Sequence, residues 1–260
     1  MATDPISTSI EGRNVIVTGA ATGLGLAIAQ RFARGGAKLL LVDRESIVLG
    51  RVIDAAFPKG SAHALVTDLE EPDTAPHIFQ EAVRAMAQVD TLINNAAWSL
   101  HKPMLEMGVA EFDRLIAVNQ RAPYFLAQEF LRHVKQSSEK PRDPVIVNIA
   151  SVNALVGNPN LVAYAGTKGA VVAMTRAMAV EMAPHGIRVN SISPAVIDTP
   201  MTRKVFEEGS LDPKNFFDSY LIRRMASMDE IAELVCYLAS PTAAYVTGAN
   251  WVIDGGYCAR

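Results

Sequence analysis

Two side chains four residues apart, Tyr164 and Lys168, have the types and spacing to do chemistry together. On a helix they project from one face, so a phenol and an ammonium enter the same space. A phenol titrates near pH ~10, too high for a base at neutral pH, and lowering that value by roughly three units takes about 4 kcal/mol of differential interaction. A fixed cation alongside can supply it. The pair therefore reads as a general base that removes a proton from an alcohol. The spacing alone is a weak signal, and its weight depends on the elements that position it.

Those elements alternate. Asn14 to Thr18, Lys38 to Val42, Ala62 to Thr67, Thr91 to Asn94, Val145 to Ile149 and Ile187 to Ile192 read as strands, and Trp251 to Ile253 could add a last one. Between them, Leu24 to Arg34, Ile47 to Ala56, Ala75 to Ala87, Glu111 to Val134, Val162 to Ala183 and Asp229 to Leu238 carry helical patterns. Repeated strand-helix-strand units predict an α/β fold, a doubly wound parallel sheet with helices on both faces. The strands are mostly continuous apolar runs, as they must be when both faces are covered. Ser137 to Pro144 is the best loop candidate but sits between a helix and a strand, so residues 1–260 read as a single domain. Pro200 to Ser227 breaks the alternation with Gly209, Pro213 and several charges, and is expected to be a substrate lid at about 200–227.

After the first strand comes Thr18-Gly19-Ala20-Ala21-Thr22-Gly23-Leu24-Gly25 and then a helix. Gly19 permits the tight turn, and Gly23 and Gly25 let backbone approach a pyrophosphate at the positive helix end. A glycine-rich connection with no ligand is the alternative. Asp43 ends the second strand where an acid accepts hydrogen bonds from the adenosine ribose, and its charge repels a 2′-phosphate. NAD is therefore expected over NADP, with Arg44 as the complication. Asp68, ending the third strand, could bond an adenine amine or simply cap a helix before Glu70 and Glu71.

Half of the 260 residues are hydrophobic and 20% are charged, enough for a large core and against global disorder. A net charge of −3 offers no basic field for nucleic acid. Cys236 and Cys258 have no metal-type spacing and read as reduced thiols. Met1 to Ile10 is polar, no apolar run approaches a membrane span, and the last cysteine is misplaced for prenylation. A soluble cytoplasmic protein is the expectation. No ligand cluster accompanies His101 and His185, so no metal is expected and both read as surface or packing histidines.

With these pieces in place, the chain resembles the short-chain dehydrogenase/reductase family, as an NAD-preferring, sugar-dehydrogenase-like member, from about Gly12 to Tyr257. The motifs run in family order: the glycine turn, Asp68, Asn94-Asn95-Ala96-Ala97, Asn119, Ser151, Tyr164 with Lys168, then Pro194 and Thr199. The resemblance implies a single-domain Rossmann sheet and a homo-oligomer, dimer or tetramer. It makes Tyr164 the base, with Lys168 holding the nicotinamide ribose and depressing the tyrosine pKa. Ser151 would hydrogen-bond the reacting oxygen. Asn119 would order a water that relays the proton from Lys168. Taken alone, Ser151 could be only a turn residue and Asn119 only a helix-kinking one. The cofactor contacts implied are Gly19, Thr22, Gly23, Leu24, Gly25, Asp43, Asp68, Leu69, Asn95, Tyr164, Lys168, Pro194, Ile197 and Thr199. Two departures, Ala97 and Ala195 where glycine is usual, bear on loop geometry and not on proton transfer.

The substrate should meet Trp98 to Pro103, Asn153 to Asn158 and the lid. Ser151, Asn153, Tyr164, His101, Lys102 and Arg203 are its expected contacts. So many donors favour a small polar molecule, a sugar oxidised at its anomeric hydroxyl or a polyol, over a steroid or acyl chain. Lys102, Arg203 and Lys204, with Arg223 and Arg224 further along, suggest an acidic sugar such as sulfoquinovose, unless they are solvated surface charges. The apolar helix from Ala170 to Met182 suggests a subunit interface, or else a thoroughly buried core helix. Two rivals remain: an NADP-dependent carbonyl or 3-oxoacyl reductase, and a non-catalytic dinucleotide sensor.

Overall fold

The computed structural model describes residues 10–207 and 216–259. The polar stretch before Ile10, Gly209 and Pro213 of the expected lid, and the side chain of Lys204 lie outside the described residues. The strands are β1 (Asn14–Thr18), β2 (Lys38–Asp43), β3 (Ala62–Val66), β4 (Thr91–Asn94), β5 (Val145–Ile149), β6 (Arg188–Pro194) and β7 (Asn250–Ile253). They form one sheet in the order β3-β2-β1-β4-β5-β6-β7, with parallel pairing throughout.

Strand β2 shows why its sequence is a continuous apolar run. Leu39 and Leu41 enter one core, with Ile28 and Phe32 of α1 (Gly23–Arg34) and Val235 of α8 (Met228–Ala239). Leu40 and Val42 enter the other, with Ile78 of α3 (Thr74–Met86), Phe130 of α5 (Ala122–Gln136) and Met178 of α6 (Val162–Met182). Successive side chains leave opposite faces of a strand, so a sheet covered twice needs both parities apolar. Helix α2 (Ser46–Ala56) joins the first layer through Leu49. The expected α/β architecture, doubly wound, is the one observed.

Three differences matter for the site. The long helix expected over 111–134 is α4 (Val109–Ile116) and α5 joined by a π-helical turn, Ala117–Arg121, which contains Asn119. The expected lid carries a helix of its own, α7 (Pro200–Glu207), and a 3₁₀ turn, Phe217–Ser219. The loop before β5 is tied down, because Asp143 pairs with Arg188 at 3.0 Å and Arg13 at 3.7 Å. Among the described residues no helix is long and apolar enough to cross a membrane. Cys236 is buried in the core and Cys258 is partly exposed, both as free thiols.

The strand order reverses between β1 and β4, one running outward through β2 and β3, the other through β5, β6 and β7. Chain connections leave such a sheet in opposite directions at that point, opening a crevice at the carboxyl ends of the strands. The glycine turn after β1 and the Asn95 loop after β4 both lie there.

Candidate active site

Helix α6 brings Tyr164 and Lys168 to the end of β5, where Ser151 follows the strand. The two residues do share a face: the Lys168 ammonium lies 5.8 Å from the centre of the Tyr164 ring. Lys168 is buried and its Nζ donates to the Ile149 carbonyl at 2.7 Å. Burial pushes its pKa down to about 8, since the charged form loses hydration. Burial pushes the Tyr164 phenol up to about 12, and its hydrogen bond with Ser151 pulls the other way. In the protein by itself the phenol is thus shifted upward, and the depression implied by the family resemblance would need the charge of bound oxidised dinucleotide as well as Lys168. Desolvation outweighs Ser151, and the ammonium is directed at a backbone carbonyl.

Asn119 is fully buried. Its Oδ1 accepts from the Trp98 backbone N–H at 2.8 Å, and its Nδ2 donates to the Trp98 carbonyl at 2.9 Å and to Thr167 Oγ1 at 3.1 Å. Both amide donors are thus occupied, so a relay water would meet this side chain by donating to the second lone pair of Oδ1. The amide also ties the loop after β4 to the helix that carries Tyr164 and Lys168.

A cleft of about 350 Å³ lies over the switch point, lined by Gly19, Gly23, Asp43, Asp68, Asn95 and Thr199 among others, Thr22, Leu24, Gly25 and Leu69 included. Thr22 is the N-cap of α1 and offers its helix no side-chain cap, so the first-turn N–H groups remain for a ligand anion. Gly23 has φ +56° and a Cβ there would approach nothing nearer than Thr199 Cγ2 at 4.0 Å, so the floor beside those N–H groups is open. At Gly19 the constraint is the reverse: a Cβ would come within 2.8 Å of Ala96 Cα. Asn95 closes this corner, donating from Nδ2 to the Thr18 carbonyl at 2.9 Å and the Gly19 carbonyl at 3.1 Å.

The Asp43 carboxylate is pinned, accepting from the Ala21 N–H at 2.9 Å and the Glu45 N–H at 3.1 Å. Two of its four acceptor directions remain for ribose hydroxyls. Asp68 accepts from the Glu70 N–H at 2.9 Å within a turn and lines the cleft; it caps no helix, because the next one begins at Thr74 with Asp73 at its N-cap. Arg44 lies 3.9 Å from Asp68 and 3.7 Å from Glu45, so its charge has neighbours already. Pro194 ends β6, Ile197 bridges to Ala226, and Thr199 Oγ1 accepts from the Thr202 N–H at 3.2 Å at the start of α7. Neither Ala97 nor Ala195 has a positive φ, so each methyl group is accommodated. An anion-binding helix end, a fixed acid at the adenosine side and a proton-transfer pair at the far side fit a nicotinamide dinucleotide.

The substrate side departs from expectation. Lys102 Nζ sits on the Glu111 carboxylate at 2.6 and 2.8 Å and holds that carboxyl below its usual range. Arg203 grips Asp198 with both arms at 2.5 and 2.8 Å, and Arg224 grips Glu230 at 2.7 and 2.8 Å. Arg223 lies 3.6 Å from Asp218. Lys102 and Arg203 are thus ion-paired within the chain, so two of the cations behind the acidic-sugar expectation already have carboxylate partners. Exposed pairs of this kind contribute little, so Lys102→Ala and Arg203→Ala should each alter kcat/KM for a neutral sugar by less than about twofold. A loss confined to acidic sugars in either variant would restore the earlier expectation.

His101 and His185 are exposed. The described part of the expected lid carries an aromatic cluster as well as its cations. Phe206, Phe216, Phe217 and Tyr220 form a cluster with ring centres 5.2–6.1 Å apart, and Tyr220 stacks on Tyr257 at 4.9 Å. Asn153 contacts Ser151 and not only open space: its backbone N–H and its Nδ2 both donate to Ser151 Oγ at 3.2 Å. Sequence reasoning missed two contributors. Thr18 Oγ1 accepts from the Asn95 and Ala96 N–H groups at 3.0 and 3.1 Å. Arg114 lies 4.6 Å over the Trp98 ring and lines the cleft. Neither sits in a recognisable local pattern.

Comparison with known proteins agrees with this geometry. Residues 19–258 match the family model described as enoyl-(acyl carrier protein) reductase. The chain is 36% identical to galactitol 2-dehydrogenase (L-tagatose-forming) of Cereibacter sphaeroides, over 95% of this chain and 96% of that one. It is 34% identical to cyclopentanol dehydrogenase of Comamonas testosteroni, over 96% of this chain and 99% of that one. The solved 3-ketoacyl-(acyl-carrier-protein) reductase of Brucella melitensis, complexed with NADH, superimposes with a TM-score of 0.87 at 35% identity, covering 96% of this chain and 100% of that one. A switch-point cleft, with Ser151, Tyr164 and Lys168 gathered at the end of β5 in the same sheet, and a sequence shared along almost the whole chain make this protein an oxidoreductase of the short-chain dehydrogenase/reductase family.

Proposed function

We propose that the protein is an NAD-dependent dehydrogenase that oxidises one hydroxyl of a small polyol or sugar. The observation that carries the reading is the Tyr164 phenol with Ser151 beside it and the Lys168 ammonium, buried and 5.8 Å from the ring centre, on a sheet that also pins Asp43. Bound oxidised dinucleotide would supply the hydride acceptor and a positive charge near the phenol. Tyr164 Oη takes the substrate's hydroxyl proton, Ser151 Oγ donates to the same oxygen, and Lys168 keeps a cation behind the phenol. An aromatic lid with a few placed amides suits a molecule with a C–H face and hydroxyl edges. The galactitol- and cyclopentanol-oxidising relatives bracket that description, a polyol and a ring alcohol.

The test is reduced-nicotinamide absorbance with NAD or NADP and a panel of sugars, polyols, cyclic alcohols and hydroxyacyl compounds. A carboxylate facing a 2′-phosphate costs at least about 1.4 kcal/mol, so NAD should win by tenfold or more in kcat/KM. Asp43→Ala should narrow that ratio. Equal or better turnover with NADP would sink the cofactor assignment, and turnover of hydroxyacyl compounds alone would favour the reductase reading.

We further propose that the protein is a homo-oligomer, with a second copy covering α5 and α6. Val171, Val172 and Met178 of α6 are buried in their own chain, but Val162 and Val180 on α6 and Tyr124 and Phe125 on α5 are exposed. Light scattering after size exclusion should give a dimer or tetramer, and Val180→Glu should lower the assembly state. A wild-type monomer at micromolar concentration would end this proposal.

A further inference from the structure

The Ser151 hydroxyl is the end of a chain of hydrogen bonds that starts at the other end of the sequence. Tyr257 OH donates to Asn158 Oδ1 at 2.8 Å. Asn158 Nδ2 donates to Asn153 Oδ1 at 2.7 Å. Asn153 Nδ2 donates to Ser151 Oγ at 3.2 Å, joined there by the Asn153 backbone N–H at 3.2 Å. Every link runs in the same direction.

Direction has a chemical consequence. A hydroxyl has one proton and two lone pairs. Two N–H donors from Asn153 occupy both lone pairs of Ser151, so its only remaining capacity is to donate. The titratable hydroxyl that feels Ser151 is Tyr164. If the Asn153 amide were turned over, its Oδ1 would compete for the Ser151 proton and withdraw it from the reacting oxygen. Turning Asn153 alone would set its amide N–H groups against the Asn158 donor, so the chain reverses only if both amides and the two terminal hydroxyls turn together. Asn158 in turn presents its acceptor to Tyr257.

The start of the chain is fixed by packing. The Tyr257 ring stacks on buried Tyr220 with an interplanar angle of 29°. The Ile222 N–H donates to the Gly255 carbonyl at 2.9 Å, tying the segment after the lid's aromatic cluster to the turn before Tyr257. Tyr257 and Asn158 are thus set by the lid segment, not by the catalytic helix.

From this we infer that Asn153, Asn158 and Tyr257 are positioning residues that commit Ser151 to donate its proton toward Tyr164 and the substrate oxygen. The inference rests on the Ser151–Tyr164 reading of the proposed function and deepens it. A committed donor stabilises the phenolate before substrate binds and the reacting oxygen once it is bound. Loss of the commitment lowers kcat more than it raises KM. It also raises the Tyr164 pKa, so the acid limb of the kcat/KM profile moves to higher pH.

The experiment is a set of variants on the full-length protein with NAD and its best substrate: Tyr257→Phe, Asn158→Leu, Asn153→Leu and Ser151→Ala, plus Ser151→Ala combined with Asn158→Leu. Tyr257→Phe keeps the stack on Tyr220, and Leu keeps the approximate shape of Asn. Removing an oxyanion donor lowers kcat by about 100-fold or more, which sets the scale for Ser151→Ala. The other losses should grow as the break nears Ser151, from about threefold for Tyr257→Phe to about tenfold for Asn158→Leu and more for Asn153→Leu. Asn158→Leu should add nothing once Ser151 is Ala, because residues acting through one group are not additive. An equal tenfold loss in the Ser151→Ala background would overturn the inference, as would wild-type kcat and acid limb in both Asn158→Leu and Tyr257→Phe. Wild-type activity in Ser151→Ala itself would instead refute the underlying active-site reading, a separate outcome.

Discussion

Tyr164→Phe is expected to lower kcat for alcohol oxidation by about three orders of magnitude while leaving NAD affinity within about twofold. The change removes one oxygen and keeps the ring. Lys168 retains its bond to the Ile149 carbonyl and Ser151 its bonds from Asn153. The cleft that lies over the glycine turn is not lined by Tyr164. Binding and turnover should therefore separate, read by fluorescence titration with NAD and by steady-state rates. The wild-type rate should rise with pH, because burial holds the phenol at about 12 in this arrangement and only the deprotonated form is a base. The residual rate of the variant should lose that limb. A kcat within tenfold of wild type would place the base elsewhere. Wild-type protein that binds NAD yet turns over no member of the substrate panel would point to the sensor rival.

The strands, the glycine turn and the catalytic pair were legible because each is encoded within a few residues. Leu39 to Val42 reads as a doubly covered strand from its own composition, and Tyr164 and Lys168 share a face by helix periodicity alone. What lay hidden is what residues meet across elements. Lys102 and Glu111 pair through a loop at a separation that no helical rule flags, and Arg203 and Asp198 pair across the start of α7. Read without partners, Lys102 and Arg203 looked free for an acidic substrate. Asn119 touches Trp98 and Thr167, 21 and 48 positions away, so its clamp role has no local signature. Tyr257 and Asn158 are 99 positions apart. The lid's aromatic residues were visible in the sequence, but the charges around them dominated the reading, and only packing reveals that the rings face inward.

The second large effect is at Lys168, where activity and stability should move in opposite directions. Lys168→Met is expected to reduce kcat by about 100-fold, because the cation behind the phenol is lost. It should also raise Tm by about 5 °C near pH 7, measured without added nucleotide. Burial depresses the ammonium's pKa from 10.5 to about 8, so the folded state disfavours the charged form. That difference corresponds to roughly 3 kcal/mol, from which about 1 kcal/mol is subtracted because the Ile149 carbonyl loses its donor. For a chain of this size each kcal/mol moves Tm by about 2–4 °C. The sign follows from proton counts. Between pH 8 and 10.5 the unfolded chain holds a proton at Lys168 that the folded chain has released. Wild-type stability therefore rises with pH across that window relative to the variant. The Tm advantage of Lys168→Met should be full below pH 8, shrink through the window and vanish or reverse above it. A pH-independent difference would mean that the ammonium is well solvated in the folded protein. A destabilised variant at pH 7 would mean that Lys168 makes a net stabilising contact stronger than its bond to Ile149. Wild-type kcat in a stabilised variant would remove the lysine from the base altogether.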